Sequence, residues 1–160
     1  MKIIFVCTGN SCRSPMAEAY LKKRLEEMGA KDIKVASAGL LSLPDMPATA
    51  EAIDAVKDEG IDLSGHRSKR LTDADVNSAD LIFVMEYKHE EYMLSKYPKA
   101  RNKIYLLKEF KKIGDYYISD EPDITDPIAK DKDFYKKTFQ VIKDAVENII
   151  KEVIQPKRGN

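Results

Sequence analysis

Residues 2–14 have the sequence Lys-Ile-Ile-Phe-Val-Cys-Thr-Gly-Asn-Ser-Cys-Arg-Ser. The run over 2–6 is rich in β-branched residues and too short for anything but a buried strand. The next eight residues put a thiol, a glycine, small polar side chains and a guanidinium in one turn, ahead of a helical pattern from Pro15 onward. Such a strand–loop–helix unit binds anions, because backbone N–H groups and the helix dipole point at one place.

Cys7 and Arg13 are the candidate functional residues of this loop. Its positive field should stabilise a thiolate on Cys7, and Arg13 offers a planar fork for two oxygens of one phosphate. A cysteine that ends a strand is often only part of the core, but the neighbours of Cys7 favour an anion site. The phosphate-binding residues predicted from the loop are Thr8, Gly9, Asn10, Ser11, Cys12, Arg13 and Ser14.

Length and charge limit the classes of protein to which the chain can belong. Its 160 residues suit one domain, which we expect over 1–155, with a short tail over 156–160. Lys+Arg and Asp+Glu number 27 each, so the chain has no net charge that would favour binding to nucleic acid or insertion into a membrane. The two cysteines lie five residues apart and form no framework for a secreted protein. The sequence therefore predicts a cytoplasmic protein.

The remaining pattern alternates strands with helices. Three further strands are predicted over 33–38, 80–85 and 103–107. Helices are predicted over 14–28, with Ser14 as the cap, and over 49–57, 87–96 and 131–156. This order favours an α/β three-layer sandwich, with a central four-stranded parallel sheet flanked by helices on both faces. Ligands of such sheets bind beyond the carboxyl ends of the strands, where Cys7 lies.

Cleavage of a phosphomonoester through a covalent intermediate also needs an acid that protonates the leaving group. Asp126 is the best candidate, because Pro127 disfavours helix at Asp126 and stiffens the loop. Asp120 and Asp123 lie in the same loop and remain alternatives. Ser14 is a candidate hydrogen-bond donor to the thiolate.

The segment from Cys7 to Glu18, Cys-Thr-Gly-Asn-Ser-Cys-Arg-Ser-Pro-Met-Ala-Glu, resembles the signature of the low-molecular-weight protein tyrosine phosphatases. The resemblance includes their bacterial protein-arginine-phosphatase branch and extends over essentially the whole chain. Further matching motifs are Ser37-Ala38-Gly39, Ser64-x-His66 and Asp126-Pro127.

This resemblance implies a role for each matching residue. Cys7 is the nucleophile, Arg13 binds the phosphate, and Asp126 acts first as general acid and then as base. A hydrogen-bond network of Asn10, Ser14, Ser37 and His66 is implied to hold the loop. The implied partner is a phosphorylated protein, phosphotyrosine being favoured by family frequency and phosphoarginine the alternative, and no cofactor or metal is expected.

Two positions depart from the family pattern. Ile128 follows Asp-Pro where many members have an aromatic residue, and Leu40, Leu41, Tyr116 or Tyr117 are candidates to replace that wall. At position 11, family members that act on phosphoarginine have threonine, and those that act on phosphotyrosine have a bulkier aliphatic residue. Ser11 has the hydroxyl without the methyl, so it leaves the substrate open.

Other roles and other functions stay open as well. Cys12 either fills space behind the loop or forms a reversible disulfide with Cys7, and His89 is predicted to be a solvated helix residue. A thioredoxin-coupled arsenate reductase is disfavoured, because residues 80–92 contain no further cysteine. A non-catalytic phosphate-binding or redox-sensing module is the remaining alternative.

Overall fold

The computed structural model describes residues 1–114 and 120–155. Its strands are β1 (Lys2–Cys7), β2 (Lys34–Gly39), β3 (Leu81–Val84) and β4 (Ile104–Leu106). Its α-helices are α1 (Arg13–Glu27), α2 (Ala50–Val56), α3 (Asp73–Ser78), α4 (Tyr87–Lys96) and α5 (Lys132–Ile149). None of the helices in this part of the chain is long and apolar enough to cross a membrane.

The four strands form one parallel sheet in the order β2-β1-β3-β4. Side chains of β1 alternate between the two faces, and all are buried after Lys2 because helices cover both faces. Ile3, Phe5 and Cys7 pack on the side of α1, α2 and α5, whereas Ile4 and Val6 pack on the side of α3 and α4. The predicted three-layer α/β sandwich is confirmed.

The boundaries differ from the prediction at the start of α1 and at the end of α5. Ser14 is not the cap, because α1 begins at Arg13 and Cys12 stands in the cap position without a side-chain hydrogen bond. The α-helical part of α5 ends at Ile149 and continues as a π-helical segment, Ile150–Ile154. The predicted tail over 156–160 lies outside the described residues, as do Tyr116 and Tyr117.

Helix α3 was not predicted from the sequence. It is six residues long, and Thr72 and Asp75 begin it with a reciprocal capping box. The Thr-x-x-Asp spacing is a start signal for a helix, but the segment is too short to show a helical period. Helix α3 covers the second face of the sheet through Val76, which is buried.

The chain after β2 lies directly against the cysteine loop. Leu40 donates its backbone N–H to the carbonyl of Cys7, and Leu41 donates to that of Thr8, each at 3.0 Å. Gly39 precedes them, and a Cβ at this position would be 2.7 Å from the Thr8 carbonyl oxygen. Only a residue without a side chain allows the two segments to approach this closely.

We expect Gly39→Ala to lower the free energy of unfolding by about 1–3 kcal/mol, the usual cost of overpacking a close contact. Gly65→Ala is the matched control, since a Cβ there would meet nothing within 4 Å. Urea denaturation of the two variants and the unchanged protein measures the difference. Equal losses in both variants would contradict the close-approach explanation.

Candidate active site

The cysteine loop connects β1 to α1 and curls around the sulfur of Cys7. Asn10 has the left-handed φ of 53° and is completely buried, a conformation that asparagine tolerates better than most residues. The turn directs the Asn10 backbone N–H at the Cys7 Sγ, 3.3 Å away. The thiol therefore receives a hydrogen bond from its own loop, close to the N-terminus of α1.

Four hydrogen bonds hold Asn10 in place. Its Nδ2 donates to the hydroxyls of Ser14 and Ser37, each at 2.9 Å. Its Oδ1 accepts from the Lys69 backbone N–H at 3.0 Å, and its carbonyl oxygen accepts from His66 Nε2 at 2.7 Å. The structure thus brings together the four side chains that the family resemblance groups as the support of the loop.

Ser14 lies between Asn10 and the thiol. Its Oγ is 2.9 Å from Cys7 Sγ and already accepts a hydrogen bond from Asn10. The hydroxyl hydrogen of Ser14 is therefore available to point at the sulfur. Two donors, the Ser14 hydroxyl and the Asn10 N–H, converge on the atom that would carry negative charge in a thiolate.

Arg13 is buried, with 1% of its surface exposed. Its Nη1 donates to Glu86 Oε2 and to the Ile124 carbonyl oxygen, both at 2.7 Å. Burial by itself would raise the pKa of Glu86, but the hydrogen bond and charge of Arg13 outweigh it and hold that pKa below its ordinary value. Glu86 was not predicted as a site residue, although its position two residues after β3, at the carboxyl edge of the sheet, was available as a signal.

Asp126 lies at the outer side of the Arg13 guanidinium. Its Oδ2 is 3.2 Å from Arg13 Nη2, and 37% of its side chain is exposed. Its Oδ1 accepts from the Ile128 N–H across Pro127, which fixes the carboxyl group. The rival Asp123 instead accepts from the Tyr87 N–H at the start of α4, and Asp120 is exposed.

His89 is buried, so its prediction as a solvated residue was wrong. It lies one turn before the buried Met93, on the side of α4 that faces the sheet. Its Nδ1 accepts from the Glu86 N–H at 3.1 Å, so Nε2 carries the hydrogen and donates to the Thr8 hydroxyl at 2.8 Å. Burial, then the charge of Arg13, lowers the pKa of His89 to about 4. The imidazole is neutral and fixes the Thr8 side chain.

The Cys12 side chain lies against the start of α2 and against α5. Its Sγ is 3.4 Å from the Tyr135 hydroxyl and 3.5 Å from the Thr49 hydroxyl. Both cysteines are free and buried. Ser11 is half-buried, and its hydroxyl is 3.7 Å from the Cys12 sulfur, whereas Gly9 is exposed.

An apolar cavity of about 330 Å³ adjoins the loop. It is lined by Thr8, Leu40, Leu41, Lys88, His89 and Tyr92. Leu41 is 67% exposed whereas Leu40 is 8% exposed, so Leu41 is the residue of the pair available at the mouth. Ile128, at 56%, is exposed on the side of Asp126.

The donor set of the site suits an anion. The Asn10 backbone N–H and the Ser14 hydroxyl lie at the sulfur, near the N-terminus of α1 where anions bind, and Glu86 and Asp126 hold the Arg13 guanidinium. Within residues 1–114 and 120–155, no group of three or more His, Cys, Asp or Glu side chains is placed to hold a metal ion.

Comparison with known proteins places this site in a family. The family model for low molecular weight phosphotyrosine protein phosphatase matches residues 2–158. The chain belongs to this family. It is 36% identical to a protein-arginine-phosphatase of Bacillus subtilis over 158 residues, which cover 99% of this chain and 100% of that one. It is 32% identical to the low molecular weight protein-tyrosine-phosphatase Etp of Escherichia coli, over 94% of this chain and 93% of that one.

Solved structures of family members share the fold. A mutant of the YwlE arginine phosphatase with a phosphorylated active site serine superposes with a TM-score of 0.86 at 35% identity, over 99% of both chains. A low molecular weight protein tyrosine phosphatase from T. tengcongensis gives 0.83 at 38% identity, over 94% of this chain and 97% of that one.

The depressed pKa of His89 makes stability depend on pH in this phosphatase. Since the folded state holds the imidazole neutral down to about 4, the unfolded chain binds a proton first, near 6.5. Above about pH 6.5 the ring is neutral in both states, so His89 should not reduce the free energy of unfolding. As the pH drops from 6.5 towards 4, that free energy should fall. A proton that only the unfolded chain binds changes the free energy of unfolding by about 1.4 kcal/mol per pH unit. His89→Gln should lower the slope of stability against pH by up to that amount. Urea denaturation at several pH values measures the slope.

The second histidine of the chain supplies the control. His66→Gln should keep the part of the slope that belongs to His89, because it leaves the Glu86 and Thr8 contacts of that ring intact. An identical slope in His89→Gln and in the unchanged protein would show that His89 does not carry the dependence.

Proposed function

We propose that the protein hydrolyses phosphate monoesters on protein side chains through a cysteinyl-phosphate intermediate. One observation carries the proposal. The Cys7 sulfur is hydrogen-bonded by Asn10 and Ser14 at the N-terminus of α1, next to a buried Arg13. Glu86, Asp126 and the Ile124 carbonyl oxygen hold the guanidinium in place, and phosphate is the anion that a planar fork suits.

In the first step the Cys7 thiolate attacks phosphorus. The S–P bond forms while the bond from phosphorus to the leaving atom breaks, and Asp126 gives that atom a proton; the leaving atom is oxygen in phosphotyrosine and nitrogen in phosphoarginine. Backbone N–H groups over residues 8–13 and the Arg13 guanidinium bind the three remaining oxygens, whose charge increases in the transition state. Glu86 and the Ile124 carbonyl hold Arg13 Nη1 so that the fork is already oriented.

In the second step Asp126 takes a proton from water, which attacks phosphorus on the side that the leaving group has vacated. The S–P bond breaks and Cys7 leaves as a thiolate. The Ser14 hydroxyl, 2.9 Å from the sulfur, stabilises the charge that returns to it. A related arginine phosphatase mutant with a phosphorylated active site serine supports a covalent intermediate at the loop position.

Phosphotyrosine is the substrate that we propose first, and phosphoarginine is the alternative. Relatives named for each activity match most of the chain. The half-buried Ser11 has a hydroxyl that suits a polar guanidino group, but it lacks the threonine methyl. The apolar cavity beside Thr8 suits the ring of a tyrosine or the residues next to it.

We also propose that the enzyme works in the cytoplasm, where its two buried thiols stay reduced. A non-catalytic phosphate-binding module would need neither Asp126 nor the donor to the sulfur. Their presence around one thiol favours turnover over binding alone.

Substitution of the proposed acid and nucleophile tests the mechanism. With p-nitrophenyl phosphate as substrate, Cys7→Ser should abolish turnover, and Asp126→Asn should lower kcat by roughly 10²-fold or more, since a positioned acid contributes that much. Arg13→Lys should lose most of the activity, because a point charge does not reproduce the bidentate grip. Steady-state release of p-nitrophenol measures all three.

Asp123→Asn is the matched control, an aspartate of the same loop whose carboxylate accepts from Tyr87 rather than contacting Arg13. It should retain most of kcat. If Asp126→Asn kept full kcat while Asp123→Asn lost it, Asp123 would be the acid. No turnover by the unchanged protein would favour the binding module.

Position 11 should decide between the two substrates. We expect Ser11→Thr to raise kcat/KM for phosphoarginine peptides relative to phosphotyrosine peptides, and Ser11→Ile to do the reverse. Each ratio should move about tenfold, since one methyl or hydroxyl contact in a pocket discriminates by that order. The measurement is kcat/KM on two peptides that differ only in the phosphorylated residue. Ratios that stay unmoved in both variants would place specificity elsewhere.

A further inference from the structure

Glu18 is a charged residue that the proposed mechanism does not use. It lies on α1, one turn after Ser14, with 18% of its side chain exposed. Its Oε2 accepts a short hydrogen bond from the Ser37 hydroxyl, and its Oε1 pairs with Lys22. The carboxylate therefore ends a chain of hydrogen bonds that begins at the Cys7 sulfur and runs through three side chains.

Glu18 sets the direction of the first hydrogen bond in this chain. An ionised carboxylate only accepts, so the single hydroxyl hydrogen of Ser37 must point at Glu18. Ser37 is then left with lone pairs for Asn10, whose Nδ2 donates to it at 2.9 Å.

Asn10 passes this direction on to the thiol. With its NH₂ group facing Ser37, it gives its second hydrogen to Ser14 at 2.9 Å, while Oδ1 faces the Lys69 N–H. Ser14 Oγ accepts that bond, so its own hydrogen points at Cys7 Sγ. A Ser37 hydroxyl turned towards Asn10 would instead meet an amide hydrogen, and the amide would lose one of its acceptors.

We propose that Glu18 is a positioning residue that, through Ser37 and Asn10, keeps the Ser14 hydroxyl donating to the Cys7 sulfur and so stabilises the thiolate. The inference deepens the proposed function, because it rests on Cys7 being the group that ionises. The residues Ser37, Asn10 and Ser14 between Glu18 and Cys7 are hereafter called the relay.

The relay and the charge of Glu18 shift the pH at which Cys7 ionises in opposite directions. A negative charge near a thiolate opposes its formation. If its charge were the only contribution of Glu18, removing the residue would make Cys7 ionise at lower pH. Loss of the relay direction would deprive the thiolate of a donor and make Cys7 ionise at higher pH. The sign of the change therefore separates the two explanations.

Other charged or titratable groups lie near the two ends of the relay and stay constant in the comparison. The first turn of α1 reaches the sulfur through Ser14. Arg13 pairs with Glu86 and Asp126, and the neutral His89 donates to Thr8. Glu18 borders a surface cavity of about 210 Å³, together with Lys22, Asp62 and His66. His66 also donates to the Asn10 carbonyl oxygen.

The experiment is the pH dependence of alkylation of Cys7 by iodoacetamide, a neutral reagent that does not compete for the anion site. Mass spectrometry of the Cys7 peptide follows the modification. We expect Glu18→Leu, which removes the acceptor, to raise the midpoint by about one pH unit, because a hydrogen bond to a charged group is worth that much. Lys22→Met should leave the midpoint near that of the unchanged protein, since it keeps the Ser37 contact.

Ser37→Ala tests the route. It interrupts the relay while the charge of Glu18 remains, and it should also raise the midpoint. The double variant Glu18→Leu with Ser37→Ala should show no further rise, because both changes act through one path. Additive shifts, an unchanged midpoint or a fall in Glu18→Leu would each overturn the proposal.

Glu18→Gln carries the test if the leucine variant does not fold. Its amide oxygen still accepts from Ser37 while the charge is gone, so the relay predicts that the midpoint of Glu18→Gln does not rise although that of Ser37→Ala does, whereas charge alone predicts a rise in neither variant. Alkylation requires no turnover, so the two proposals fail separately. A raised midpoint in Glu18→Leu, with no hydrolysis by the unchanged protein, would support the relay and contradict the proposed phosphatase activity. Hydrolysis by the unchanged protein, without a raised midpoint in Glu18→Leu, would support the activity and contradict the relay.

Discussion

The left-handed conformation of Asn10 is the constraint on which the site depends. It turns the loop so that the Asn10 backbone N–H faces inward at the Cys7 sulfur. Such a conformation is strained for a residue with a side chain and persists only where its surroundings over-determine it. Here the surroundings are Ser14 of α1, Ser37 of β2, and the segment that contains His66 and Lys69. The loop is therefore as rigid as the elements that it joins.

The guanidinium of Arg13 imposes a second requirement, because a buried cation needs acceptors. Glu86 and the Ile124 carbonyl oxygen supply them from the far side of the cleft, and Asp126 supplies a third from the edge. Removing one partner of such a group leaves a charge uncompensated. The arrangement connects the loop after β3 and the Asp-Pro segment to the nucleophile loop through one side chain. The proposed acid, Asp126, and the proposed phosphate-binding residue, Arg13, are thus positioned by their contact with each other.

Predictions from the sequence succeeded where residues close in the chain set the geometry. The β1 strand, the loop of small residues and α1 are consecutive, so their pattern placed Cys7 and Arg13 at the carboxyl edge of the sheet before any fold was known. Predictions failed where distant segments meet. His89 has polar neighbours in sequence but packs on the cysteine loop, and Glu86 shows its function only beside Arg13. Helix α3 was missed because six residues carry too little periodicity.

The α/β class, the family and the short list of reactive groups follow from the amino-acid sequence, because they depend on the local hydrophobic period and on one contiguous motif. The protonation and hydrogen bonding of those groups depend on the folded arrangement. It showed which aspartate meets the guanidinium, that His89 is neutral and that Glu18 terminates the hydrogen bonds of the thiol. Protonation and hydrogen-bond direction depend on burial and on partners many residues away, 81 positions for Thr8 and His89. Those partners are chosen by the packing of the helices on the sheet, which no local pattern contains.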